Sequence, residues 1–333
     1  MEKKLKAIDF FCGAGGVTCG FKQAGIKVLG GIDIDEKCKD TYEKNNSAKF
    51  LNVDISKLEK EELSRVFKIR KNQDDLIFVG CSPCQYYSKI QTDKTKAEKT
   101  RLLLADFQEF VDYYNPGFVF VENVPGLDKK EGSPLAEFKN FLRRKGYTFD
   151  DGVVNAKYYG VPQNRTRYIL IASRFNDEIS IPEPDKKNIK TVKNAIGNKE
   201  KFPPIKAGFT DNSDFIHSSA FLSEINLLRI STTPKNGGDR RVWKDTDLQL
   251  KCYKKHEGHT DVYGRMFWDR PSPAITTKFR SLSNGRYGHP EQDRAISLRE
   301  GATLQSFPLD YNFYSDSQRA IAKMIGNAVP PEL

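Results

Sequence analysis

The sequence predicts an α/β fold: a doubly wound parallel sheet joined to a second, smaller, irregular β-containing domain. Three observations carry that prediction. Short apolar runs alternate with amphipathic stretches over the first 175 residues, the turn after the first run is rich in glycine, and the alternation stops at about Phe175.

The elements follow in order. Leu5 to Phe11, Val28 to Ile34, Leu76 to Val79, Phe118 to Val121 and Tyr168 to Ala172 are apolar and short enough to be buried strands. Thr18 to Ala24, Glu36 to Asn45, Leu102 to Tyr114 and Leu135 to Lys145 have helical spacing and fall between them. Beyond Phe175, Pro182, Pro184, Pro203, Pro204, Pro234 and the Gly237-Gly238 pair interrupt any sustained periodicity until about Ser297. Arg299 to Phe307 and Ser317 to Met324 are helical again. The expected division is therefore a catalytic domain over 1–175, completed by 315–333, and a second domain with its hinge over 176–314.

The 333 residues hold 54 Lys and Arg against 44 Asp and Glu, a net charge of +10, which favours a polyanionic partner without naming one. No run approaches the about 18 apolar residues of a membrane span, and the charged start Met1 to Lys6 leads straight into a strand. A cytoplasmic protein with no membrane partner is the expectation. Six cysteines without a secretory leader are expected to be reduced thiols. Cys81-Ser82-Pro83-Cys84 has C-x-x-C spacing, but no second such pair completes a four-ligand site; Cys252, His256 and His259 lie in a polar, Lys-rich stretch and lack a fourth partner, so no metal is expected.

Ligands of doubly wound sheets bind beyond the carboxyl ends of the strands, where the chemically unusual residues of this chain fall. Asp9 to Gly16 joins the first strand to the first helix, and its glycines allow close backbone approach to a ligand. The dinucleotide pattern G-x-G-x-x-G fails, since from Gly13 its third glycine would be Thr18. Asp33 ends the second strand, placed to accept from ribose hydroxyls, and Asp54 follows a third short segment where it could meet an adenine amino group; taken singly, each could equally be a solvated turn carboxylate. Pro83-Cys84-Gln85 and Glu122-Asn123-Val124 deliver a thiol and a carboxyl from two strand ends, the pairing that addition to an electron-poor ring requires. Lys89, Lys94, Lys96, Lys99 and Arg101 follow Cys84 and would favour its thiolate, or form a solvated loop. In Gln163-Asn164-Arg165-Thr166-Arg167, strand alternation puts Arg165 and Arg167 on one face, to hold a planar base or a phosphate, or to make structural ion pairs.

Together these segments resemble the DNA cytosine-5 methyltransferases of bacterial restriction–modification systems over nearly the whole chain. The ordered motifs are Asp9 to Gly16, Pro83-Cys84-Gln85, Glu122-Asn123-Val124, Gln163-x-Arg165-x-Arg167, Arg270 to Thr277 and Gly326 to Pro330. Any one could arise by chance; six in this order at family-like spacing are specific. The resemblance implies an S-adenosylmethionine-binding, Rossmann-like sheet and a target recognition domain over about Asp177 to Phe267. It implies Phe11 against the adenine, Asp33 on the ribose, Asp54 on the adenine amino group and Asn327 closing the pocket, with Gly13, Gly15, Ile34, Ile55 and Pro83 in the same site. It further implies that Cys84 adds to carbon 6 of a flipped cytosine in double-stranded DNA, that Glu122 protonates nitrogen 3, and that Arg165 holds the base, with Arg167 beside it in the catalytic set.

A cognate restriction endonuclease without direct contact, a monomeric enzyme and a nucleoid-associated cytoplasmic location complete the expectation. Two departures stand out. Gly80-Cys81-Ser82 replaces the family's two glycines and proline, and Cys81 is expected to be an oxidation-prone extra thiol. The sequence ends at Glu332-Leu333, where the family runs on into a helix. An RNA cytosine-5 methyltransferase is the nearest competing reading, although its usual Cys-Phe-Thr is missing. A catalytically idle nucleic-acid-binding homologue is the other, and intact Cys84 and Glu122 oppose it.

Overall fold

The computed structural model describes residues 4–83, 94–126, 133–175, 178–244, 246–253, 258 and 260–333, with the backbone alone over 94–101. The chain divides into two units, Met1–Asn155 with Thr166–Pro184, and Ala156–Arg165 with Asp185–Leu333.

In the first unit the apolar runs form the middle of a sheet. β1 (Lys6–Phe10) pairs in parallel with β2 (Lys27–Asp33) and with β4 (Leu76–Gly80); β2 pairs with β3 (Lys49–Asn52), and β4 with β5 (Phe118–Asn123), again in parallel. β8 (Thr166–Ser173) and β6 (Thr148–Asn155) then extend the sheet antiparallel, giving the order β3-β2-β1-β4-β5-β8-β6. The doubly wound sheet is parallel from β3 to β5 and mixed beyond it, because β8 runs antiparallel to both of its neighbours. β6 escaped sequence reading because Thr-Phe-Asp-Asp-Gly-Val-Val-Asn lies at the sheet edge and is nowhere fully buried, so it carries no apolar run.

Helices α1 (Gly16–Gln23), α2 (Lys39–Asn46), α3 (Lys60–Phe67), α4 (Lys94–Tyr114) and α5 (Pro134–Arg144) connect these strands. One side chain of each alternating strand pair faces the main core: Ile8, Phe10, Phe78, Val119 and Val121 pack with Leu104, Phe107, Phe110 and Phe138 from α4 and α5. Phe10 is edge-on to Phe78 at 5.1 Å and to Phe107 at 5.2 Å. On the opposite face Phe21 of α1 meets Phe120 at 5.9 Å. The order of strands reverses between β1 and β4, so their carboxyl ends flank the crevice in which open sheets bind ligands.

The second unit contains the two-residue pair β7 (Gln163–Asn164) and β9 (Ser272–Pro273), and the helices α6 (Val192–Ile196), α7 (Glu224–Thr232), α8 (Leu298–Leu304) and α9 (Gln318–Asn327). Ile230, Trp243, Tyr263, Leu282 and Ala295 form one of its cores. Buried ions brace it. Arg294 and Glu300, both fully buried, make two hydrogen bonds of 2.7 Å, while Ser297 and Glu300 cap α8 reciprocally. Arg265, also fully buried, donates to the carbonyls of Ile230 and Thr233 at the end of α7, to those of His289 and Gln292, and to Asp293.

This division departs from the expected one. Residues 315–333 cluster with the second unit, as do Ala156–Arg165. The cause is a polar lock: Gln163 donates to the Leu304 carbonyl at 3.1 Å and accepts from the Ile275 amide at 3.0 Å, and Gln305 donates to the Ala328 carbonyl at 2.5 Å.

Candidate active site

The glycine-rich turn is built by backbone geometry. Phe11 has φ of 62° and is half-buried, an uncommon conformation for a bulky residue. Gly15 is the left-handed N-cap of α1 with φ of 86°, a position where a side chain would be strained. The Gly13 amide donates to Asp33 Oδ2 at 2.8 Å, and the Asp35 amide donates to Oδ1 at 2.8 Å, so Asp33 locks the turn to the end of β2. Ile34 is 68% exposed, an apolar surface beside the turn. Asp54 accepts from the amide and hydroxyl of Ser56 and caps a short 3-10 turn. The Ile55 side chain is buried in the main core. Sequence reading missed Asn52, whose amide donates to the carbonyls of Asp33 and Ile34 at 3.1 Å each, fixing the two positions relevant to a nucleoside. An Asn at a strand end was its one visible signal.

Asp9, one step before this turn, is 2% exposed. Its Oδ2 accepts from the Thr18 hydroxyl at 2.8 Å, and its Oδ1 has no hydrogen-bond partner among the described residues. Burial, reinforced by the neighbouring Asp33 carboxylate and opposed by the Thr18 hydrogen bonds, pushes its pKa up to about 7.

At the ends of β4 and β5 the motif residues meet directly. The buried Asn123 amide donates to the Ser82 carbonyl at 3.3 Å, tethering the segment that leads into Pro83. Pro83 is exposed; Cys84, Gln85 and Lys89 lie outside the described residues, as do the side chains of Lys94, Lys96, Lys99 and Arg101. Glu122 is 7% exposed, and Arg167 Nε stands 2.8 Å from its Oε1. Among the described residues that oxygen accepts no aligned hydrogen bond, so the contact is an ion pair whose geometry leaves the carboxylate under-satisfied. Cys81 is not an activated thiol: burial first, then the Glu122 and Asp9 carboxylates, push its pKa well above the usual range, which opposes the expected ease of oxidation.

Arg165 and Arg167 do not share a strand face. β7 ends at Asn164 and β8 begins at Thr166, so the alternation is broken at Arg165. Arg165 is 5% exposed and, within the second unit, donates to the Ile275 carbonyl at 3.1 Å and the Ala328 carbonyl at 3.2 Å; Arg167, in the first, pairs with Glu122. Asn327 is the exposed last residue of α9. The preceding Gly326 is required by contact, because a Cβ there would lie 2.3 Å from the Thr276 backbone. Arg240 is buried, stacked at 3.7 Å on Tyr253 and bonded to the Gly258 carbonyl, while exposed Arg241 is paired with Asp239 at 2.6 Å.

A mixed seven-stranded sheet with a glycine turn after β1, an acidic residue ending β2, and a buried ion-paired glutamate ending β5 is the architecture of a methyltransferase. The family described as C-5 cytosine-specific DNA methylase matches residues 5–333. The chain is 38% identical to the Type II methylase M.HgiDII of Herpetosiphon aurantiacus, over 98% of this chain and 92% of that protein. It is 34% identical to the Type II methyltransferase M1.HphI of Haemophilus parahaemolyticus, over 99% and 84%. A crystal structure of a putative DNA modification methyltransferase encoded within an E. coli prophage shares the fold with a TM-score of 0.73 at 23% identity, covering 99% of this chain and 96% of that one. The chain belongs to the C-5 cytosine-specific DNA methylases, and its activity is DNA (cytosine-5)-methyltransferase. The RNA reading is not favoured by these relatives.

Proposed function

We propose that this enzyme methylates cytosine in a specific double-stranded DNA sequence through a covalent Cys84 adduct, using S-adenosylmethionine, as the modification half of a restriction–modification system. The ion pair of buried Glu122 with Arg167 carries the reading, because it supplies a water-shielded carboxyl at the end of a strand whose neighbour leads into Pro83-Cys84.

The first unit offers a fit for the cofactor. Asp33, held by the Gly13 and Asp35 amides, brings a carboxylate to the glycine turn, Ile34 presents an apolar surface for a purine, and Phe11 and the Gly13 and Gly15 backbone border the same turn. Asp54 and the Ile55 backbone would meet the adenine edge. Bound there, S-adenosylmethionine supplies an electrophilic methyl group. Cys84, as thiolate, forms a bond to carbon 6 of the flipped base while Glu122 gives a proton to nitrogen 3, and the electron pair thus placed on carbon 5 takes the methyl. Loss of the carbon 5 proton to a base then expels the Cys84 thiolate, restoring the ring, and Glu122 recovers its proton. Arg167 holds Glu122, Arg165 holds the base, Asn327 meets the cofactor, and the middle part of the second unit reads the sequence. The enzyme acts as a monomer in the bacterial cytoplasm at the nucleoid, with no contact to its endonuclease.

Duplex DNA carrying 5-fluorocytosine tests the mechanism, since fluorine cannot leave as a proton and the adduct cannot eliminate. Mass spectrometry of the trapped peptide is expected to find the base on Cys84, and Cys84→Ala to abolish both trapping and methyl transfer. A base on Cys81, or no adduct from an otherwise active enzyme, would overturn the mechanism.

A further inference from the structure

Asp9 is a buried acid with half of its hydrogen-bonding capacity unused. Its Oδ2 is held by Thr18, whose hydroxyl also lies 3.0 Å from the Tyr42 hydroxyl, so α1 and α2 fix the carboxyl in place. Its Oδ1 has no partner among the described residues. β1 pairs Asp9 with Gly31 of β2 and Val79 of β4, which places it at the two strands bordering the crevice. Among the described residues, the titratable groups that act on it or feel it are acidic or neutral: Asp33 from the end of β2, Cys12 from the turn and Cys81 from the end of β4. Two carboxylates thus meet at one strand edge, and the group that acts electrostatically on Asp9 is negative. Leaving a charged oxygen buried and unpaired is costly, and a cation entering the crevice would remove that cost.

We propose that Asp9 is the counter-charge for a cationic cofactor: its carboxyl holds a proton in part of the free protein and releases it to solvent when a net positive ligand binds, leaving a carboxylate that favours the charged cofactor over a neutral product. This rests on the S-adenosylmethionine reading. The raised pKa of Asp9, about 7, puts the exchange in the neutral range. S-Adenosylmethionine carries one positive charge more than S-adenosylhomocysteine, so the same residue would let product leave.

Titration calorimetry of the whole enzyme at pH 7, repeated in buffers of different ionisation heat, counts the protons released. Wild type is expected to release about half a proton per S-adenosylmethionine bound, and clearly less with S-adenosylhomocysteine. Asp9→Asn keeps an acceptor for Thr18 and is expected to lose that release and to bind the two ligands with more similar affinity. A measurement on wild type alone serves if the variant fails to fold: affinity for S-adenosylmethionine should weaken progressively below pH 7, approaching tenfold per pH unit, while affinity for S-adenosylhomocysteine changes less. Binding without proton release, or equal release by wild type and variant, would overturn the proposal while leaving the cofactor reading intact. Failure of S-adenosylmethionine to bind wild type would remove both.

Discussion

The two units treat their buried carboxylates in different ways. In the second, Arg294 and Glu300 saturate one another, and Arg265 spends its donors on helix-end carbonyls and Asp293. Near the carboxyl ends of β1 and β5 in the first, Asp9 and Glu122 each keep a buried oxygen without an aligned hydrogen bond among the described residues. Satisfied ions hold irregular chain in place where few strands can; under-satisfied ones hold free energy in reserve for a ligand or a reacting base. The difference separates residues that keep the fold from residues that change state during a reaction.

Activity and stability should therefore break apart when each kind of charge is removed. Glu122→Gln is expected to lower kcat on the order of 10²- to 10⁴-fold, the scale of a lost proton donor, with little change in the unfolding midpoint; tritiated methyl transfer and urea denaturation measure the two. A large stability loss would place Glu122 among the bracing ions instead. Conversely, Glu300→Gln leaves Arg294 buried without its counter-charge and should cost about 3 to 5 kcal/mol of stability. A well-packed apolar replacement of both partners should recover most of it.

The pH dependences should also oppose. Burial drives His289 down to about 4; burial also pushes Glu300 up, but the charge and hydrogen bonds of Arg294, with His289 and His217, together bring it down to about 2. Both pKa values are depressed in the folded state, so their stability is present at neutral pH and is lost as pH falls, from about 6.5 toward 4 for His289 and from about 4.5 toward 2 for Glu300. The two tryptophans, Trp243 and Trp268, both lie in the second unit, so their fluorescence follows this acid loss selectively. Asp9 is raised in the folded state, and its contribution is fully present below about pH 4 and lost as pH rises to about 7. Asp9→Asn should therefore gain up to about 4 kcal/mol over wild type at pH 8 and nothing at pH 4; thermal melts of the free enzyme at both values check the sign.

The smallest effect sharpens the contrast within one dipeptide. Arg241→Ala should cost under about 1 kcal/mol of stability and reduce the salt slope of DNA binding by about one if it meets a phosphate. Arg240→Ala should destabilise more and change the slope less, since the stacked, buried guanidinium is part of the fold.

Legibility in the sequence followed burial and locality. β1, β2, β4, β5 and β8 were readable because each is an apolar run, and Asp33 and Glu122 because they end such runs. What stayed hidden depends on distant partners. Asn52 acts through backbone it meets only across the sheet, and the break at Arg165, invisible to strand alternation, follows from carbonyls 110 and 163 residues further along. Asp9 looked like part of a glycine turn, and nothing local marks one of its oxygens as orphaned.

That long reach of Arg165 sets a clock on the ribosome. At a synthesis rate of about 5 to 20 residues per second, the carbonyl of Ala328 emerges roughly 10 to 30 seconds after the guanidinium that needs it. When Arg165 emerges, Thr166–Pro184 of the first unit is still to be made, and the acceptors of the Gln163 to Arg165 segment then arrive one after another, Ile275 before Leu304 and Leu304 before Ala328. Ala328 is the last of these acceptors to be made, so the lock stays open until that carbonyl is in place.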